Sequence, residues 1–237
     1  GGGGANIIVP ANRVIKKKIG LLPMKDQTGA LIGEKKKTFV EALFSSLFKT
    51  GQGEFESESL LKPFFDKNGI SSDALNGNAL ARTGAVLGIQ GFVGITVNRL
   101  EIIHQITAGK ESYSAAMELE ISLYDGLSGL RLLQSKIALS SDEIAPSATP
   151  AEAEENVLRK GASRAISTIL VTLNKIEWFT HIVKIDGKRI FIQGGRDSGL
   201  IAGDLLNVYD KPGKEIYNEL TGEFIGREPG HFKGRLQ

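Results

Sequence analysis

The chain has 237 residues, 41% of them hydrophobic, with 29 Lys and Arg against 27 Asp and Glu and no cysteine. Without Cys there can be no disulfide, thiolate zinc site, iron–sulfur cluster or cysteine nucleophile, and a net charge of +2 gives no electrostatic case for nucleic acid. Glycine is the outlier, with 29 residues, about 12% against an average of about 7%, which predicts many tight turns and much antiparallel structure.

Residues 1–13 read as a flexible leader, Gly-rich and then Pro-containing, with one apolar patch at Ile7, Ile8 and Val9. The next stretch, 15–24, predicts a first strand, and the loop Asp26-Gln27-Thr28-Gly29 leads into a helix over 34–49. Its apolar residues Phe39, Val40, Leu43, Phe44, Leu47 and Phe48 form a broad stripe suited to packing on a sheet. A short strand at 55–57, a short helix over 60–67 stopped by Asn68-Gly69, and a third helical stretch over 74–87 precede a strand at 91–97. The longest uncharged run, 83–98, has 16 residues, short of the roughly 20 apolar residues that a spanning helix needs.

A β-meander follows. Met117, Leu119, Ile121 and Leu123 alternate with Glu118, Glu120, Ser122 and Tyr124, a strand with one wet face. Asp125-Gly126 and Ser128-Gly129 mark the turn, and Leu133, Ser135, Ile137 and Leu139 return as the next strand. Thr149-Pro150-Ala151-Glu152 is a capping box with Pro at the first helical position. The helix it opens runs to about residue 175, with Leu158, Ala162, Ala165, Ile166, Ile169 and Leu173 in its buried stripe. Beyond Trp178 the helical periodicity stops. Short strands at 180–185, 189–193, 204–210 and 224–228, separated by Gly-rich turns, predict a small β-barrel.

Chemical motifs are weak. Gly29-Ala30-Leu31-Ile32-Gly33-Glu34-Lys35 fails the spacing of a phosphate-binding loop, and Gly84, Gly88, Gly91 and Gly94 precede a strand instead of the helix a dinucleotide site requires. Asp66-Lys67-Asn68-Gly69 places its Gly too early for a calcium loop and reads as a helix C-cap. His104, His181 and His231 are isolated, without paired-ligand spacing. Two basic clusters, Lys16-Lys17-Lys18 and Lys35-Lys36-Lys37, read as solvated faces. These residues point to no catalytic, cofactor or metal site.

The tail carries a longer pattern: Gly194-Gly195-Arg196-Asp197-Ser198-Gly199-Leu200-Ile201-Ala202-Gly203-Asp204-Leu205-Leu206-Asn207-Val208-Tyr209, then Thr221-Gly222-Glu223-Phe224-Ile225-Gly226. It resembles the C-terminal β domain of the flagellar H-ring assembly protein FlgT and related periplasmic proteins. Residues Gly195, Gly199, Leu200, Gly203, Asp204, Val208, Tyr209, Gly222 and Gly226 are then turn and core positions of that domain. Glycines would supply left-handed backbone or close approach, Leu200 would turn inward, and Asp204 would cap its own turn. The first 177 residues resemble the α/β domain shared by the TolB N-terminal region, CsgG, LpoB and the middle domain of FlgT, in the order of opening strand, helix, Gly-rich strand start, meander and long helix.

The resemblance implies an α+β fold in three parts: the leader 1–13, a TolB-N/CsgG-like mixed sheet with packed helices over 14–177, and a small SH3-like β-barrel over 178–237, with Trp178 and Phe179 at the junction. It implies a non-enzymatic scaffold or ring-assembly protein, periplasmic and outer-membrane associated, flagellar in its first form. Its partners would be envelope proteins, ring subunits or further copies of itself, not nucleic acid, with a lipid anchor upstream of Gly1. The alternatives are an LpoB-like lipoprotein that regulates a cell-wall enzyme, a CsgG-family secretion component, or a small-molecule-binding protein or enzyme. Residues 98–113 form a short insert with Glu101, His104, Lys110 and Glu111 scattered through it, which argues against a membrane pore.

Overall fold

A computed structural model describes residues 4–8, 13–211 and 213–237 of the chain. Its elements in order are β1 (Gly4–Ile8), β2 (Lys17–Leu21), β3 (Lys25–Asp26), α1 (Gly33–Lys49), β4 (Gly53–Phe55), α2 (Glu58–Lys67) and α3 (Gly77–Leu87). Then come β5 (Gly91–Thr107), β6 (Lys110–Asp125), β7 (Arg131–Leu139) and α4 (Pro150–Leu173). The tail holds β8 (Phe179–Asp186), β9 (Arg189–Ile192), β10 (Leu205–Tyr209), β11 (Glu215–Tyr217), β12 (Phe224–Arg227) and β13 (Phe232–Leu236). The fold is α+β.

The main sheet has six strands in the order β4-β2-β5-β6-β7, with β3 beside β5. Its first part is parallel, β2 lying between β4 and β5, while β5, β6 and β7 run antiparallel. One face is covered by α1 and α4. On α1 the stripe Phe39, Ala42, Leu43 and Leu47 is buried. The long helix α4 starts where Thr149 accepts a hydrogen bond from the Glu152 amide, with Pro150 pre-set in the first turn. It presses close to the sheet because Gly161 has no side chain: a Cβ there would stand 2.8 Å from Met117 Sδ. Each large side chain sealed in this layer is worth about 1.5–3 kcal/mol.

The opposite face is covered at one end only. There α2 and α3 bury Leu61, Phe65, Ala79 and Leu80 against Leu22, Ile89 and Phe92. Among the described residues nothing in this layer extends over β6 and β7, which is why Glu118, Glu120 and Ser122 alternate with buried residues along β6.

Three sequence expectations are corrected. The leader is not free along its length: β1 pairs with β10 on one side and β8 on the other. A Gly-rich segment carries little side-chain signal, but backbone ladder bonds do not require one. The tail is not a closed barrel. It makes an open five-stranded sheet in the order β13-β10-β1-β8-β9, plus a separate β11–β12 hairpin that leaves the sheet and inserts Phe224, 1% exposed, into the main core. The strand expected to end at residue 97 continues to Thr107, and residues 98–113 form a β-ribbon with β6. A bulge between Val97 and Arg99 shifts the inward register and hides the alternation. The tip is a two-residue turn, Ala108 and Gly109, with φ of 51° and 78°.

Candidate functional site

Where α2 and α3 stop, the uncovered face of β5, β6 and β7 forms a cleft of about 290 Å³, overhung by Lys25, Gln27, Ser72 and Leu75. Strand register builds its floor. Gly94, Ser122 and Gln134 lie in one row, with Thr96 beside Glu120 on one side of it and Tyr124 beside Arg131 on the other. The hollow exists partly because Gly94 lacks a side chain: a Cβ there would sit at ordinary contact distance, 3.6 Å from Tyr124 Cε2 and 3.7 Å from Leu22 Cδ1.

The cleft carries charges of both signs. Glu120 accepts a hydrogen bond from the Gln134 side-chain amide, and Lys25 pairs with Asp73 at 3.0 Å. Arg131 makes no ion pair among the described residues, and its carbonyl accepts the Tyr217 hydroxyl at 3.3 Å. These groups can hold a polar or charged guest by ion pairs and hydrogen bonds. The wet face of β6 is legible in the sequence, but which part of it α2 and α3 leave uncovered is not.

The loop from β3 to α1 turns on Asp26, whose carboxylate accepts from the Thr28 amide at 2.9 Å, the Thr28 hydroxyl at 2.6 Å and the Leu31 amide at 2.9 Å. Burial pushes this carboxyl up, but the Thr28 and Leu31 bonds, with one from Gly29, outweigh it and hold it below the usual carboxylate range. The amides that a phosphate would need are thus already engaged. In the lysine clusters, Lys16 lies over the Phe48 ring, Lys18 pairs with Glu56 at 3.1 Å and Lys35 pairs with Glu154 at 3.1 Å. The histidines stand apart: His104 stacks on Tyr113, His181 meets Phe179 edge-on and His231 lies 3.4 Å from Asp210. Among the described residues no group of His, Asp and Glu is placed to hold a metal ion.

The tail motif is a set of turns. The Gly195 carbonyl accepts the Ser198 and Leu200 amides, at 2.9 and 3.2 Å. Gly199 and Gly203 have φ of 97° and 96°, a region closed to most side chains. Between them Leu200 turns into a small core with Ile15, Trp178 and Leu206. Asp204 accepts the Ile201 amide at 2.8 Å, and the Arg13 guanidinium foremost, with that amide, holds its carboxyl below the usual range. Val208 is half-buried and Tyr209 packs edge-on to Phe232. Gly222 closes the Asn218 turn by donating to the Asn218 carbonyl at 2.8 Å, and Gly226 lies in β12 opposite Ile216.

At the junction, Trp178 is buried in the small core, and Phe179 is held through its backbone. The buried Gln90 amide donates to the Phe179 carbonyl at 2.7 Å and accepts the Phe179 amide at 3.1 Å. Sequence reading missed Gln90, and a polar residue beside Ile89 and Gly91 is its only signal. It also missed the ion pair between Arg227 of β12 and Asp125, which is fully buried at the end of β6. Burial pulls the Arg227 guanidinium down to about 10, and its Cζ lies 5.4 Å from the centre of the Phe179 ring.

Fold and cleft together define an α+β module with one polar sheet face left open. No family model and no curated protein matches the chain. Solved structures similar to it include a lipoprotein of Neisseria meningitidis, at 14% identity over 65% of this chain and 99% of that one, with a TM-score of 0.40. The LpoB C-terminal domain of Escherichia coli is similar at 15% identity over 55% of this chain and 87% of that domain, TM-score 0.35. TolB from Acinetobacter baumannii is similar at 14% identity over 96% of this chain and 53% of its own, TM-score 0.36.

Proposed function

We propose that this chain is a non-enzymatic scaffold or ring-assembly protein of the bacterial envelope, periplasmic and outer-membrane associated, with the flagellar basal body as its setting. The observation that carries the reading is the tail motif on which the resemblance to FlgT rests. Its glycines Gly195, Gly199 and Gly203 are used up in turns around Leu200, and the Asp204 carboxylate is spent on Arg13 and the Ile201 amide. The polar cleft supports a binding role, because its groups are suited to hold a partner's charged side chains. No described helix is long and apolar enough to cross a membrane.

Affinity capture from solubilised envelopes tests this. The reading expects flagellar basal-body proteins to be retained by the wild-type chain and lost with Arg131→Glu or Gly94→Val, the second filling the cleft floor at contact distance. Retention of a cell-wall synthase instead would establish the regulatory lipoprotein alternative. Retention of no envelope protein would overturn both.

A further inference from the structure

Besides the outer edge of the three-residue end strand β4, the main sheet leaves two longer strand edges open among the described residues, and they lie on opposite sides of it. β5 is flanked by β2 and β3 only as far as Val97, so, among the described residues, 99–107 have β6 alone beside them. On the other side β7 ends the sheet, and among the described residues its backbone has no partner beyond β6 except the Tyr217 hydroxyl on the Arg131 carbonyl. A two-stranded ribbon is marginal in water by itself, and an unpaired edge is a template for another strand.

The two edges are complementary. β7 has nine residues, as does the open stretch of β5. Both strands run antiparallel to β6, so they are parallel to each other, and a second copy in the same orientation brings its β5 edge parallel to β7. On the face that carries α1 and α4, Leu100 packs on the core and is followed by exposed Ile102, His104 and Ile106, while β7 offers Ser135, Ile137 and Leu139. The opposite face carries opposite charges, Glu101 on β5 and Lys136 on β7. Glu101 is held only by its own neighbour Arg99, at 2.6 Å, and Lys136 has no ion pair among the described residues.

We propose that copies of this chain join head to tail by parallel strand addition, residues 99–104 of one copy lying along residues 134–139 of the next, with Glu101 beside Lys136 and Ile102 beside Ile137. The joint uses different surfaces on its two sides, so repetition closes a ring or extends a filament, according to the rotation between copies. One strand pair lies at the small end of interface areas, so each joint is weak and assembly grows with concentration. The proposal deepens the assembly-component reading. A chain that self-associates but captures no envelope partner would keep this joint and lose that function.

Light scattering and mass photometry of the full chain, at rising micromolar concentration, test the joint. Assembly is expected in the wild type. Glu101→Lys and Lys136→Glu should each weaken it about 3- to 10-fold, and the two together should restore it. Both positions are exposed, so thermal melts should match the wild type and separate lost association from lost folding. Because the chain has no native cysteine, a chain carrying Glu101→Cys mixed with one carrying Lys136→Cys should cross-link into heterodimers. A monomeric wild type, single variants that assemble unchanged, a double variant that is not restored, or cross-links only between two Glu101→Cys chains would each overturn the proposal.

Discussion

Truncating Phe224 to alanine tests whether the C-terminal segment is part of the main core or an appendage to it. The ring is 1% exposed and lies among the residues that α1 and α4 bury against the sheet, with Tyr217 edge-on at 5.8 Å. Loss of a buried Phe side chain costs about 3–5 kcal/mol, the spread reflecting how far the cavity collapses. A chain of this size loses about 2–4 °C of melting temperature per kcal/mol, so the expected drop is about 6–20 °C. The cavity opens under helices that precede the hairpin by tens of residues, so the loss should appear in their unfolding too. Scanning calorimetry, with far-ultraviolet dichroism to follow the helices, reads both. A drop confined to a separate minor transition, or a loss below about 1 kcal/mol, would refute the argument, because such values belong to surface positions.

Arg227→Met leaves Asp125 buried without its cation and should cost about 3–5 kcal/mol in urea unfolding; a loss under about 1 kcal/mol would mean that the Leu127 amide and Ser128 hydroxyl satisfy this carboxylate without the arginine. Gly84→Ala would bring a Cβ to 2.3 Å from the Gly126 carbonyl oxygen, backbone against backbone, and should destabilise by about 1–3 kcal/mol; an unchanged melting temperature would show that α3 can move away. Burial disfavours the charged form of His181 and lowers its value from the ordinary 6.5, so the unfolded chain takes up the proton first. Stability should therefore be full above about pH 6.5 and fall as pH drops through the folded value, and His181→Gln should flatten that part of a melting-temperature profile.

Much of the architecture follows from local rules. The cap at Thr149 and Pro150 and the stripe from Val157 to Leu173 specify α4 without reference to any other element. The alternation from Met117 to Tyr124 specifies β6, since period two permits only one assignment of faces. In the tail, Gly199 and Gly203 take backbone that other residues resist. The ribbon was not legible. Its bulge at residues 97–99 breaks the period, and a one-residue offset makes a continuous strand look like a charged loop.

The sequence by itself determined the class of fold, the wet and dry faces of the meander and the long helix. All of these depend on the spacing of residues within one element. Tertiary structure alone decided that β1 lies between β8 and β10, that Phe224 belongs to the main core, and that Gln90 and Asp125 hold the tail. It also decided that α2 and α3 leave a cleft over Gly94, Ser122 and Gln134. Those facts join residues up to about 200 positions apart, and the free energy of such contacts comes from burial and desolvation once the chain has closed, which no local pattern encodes.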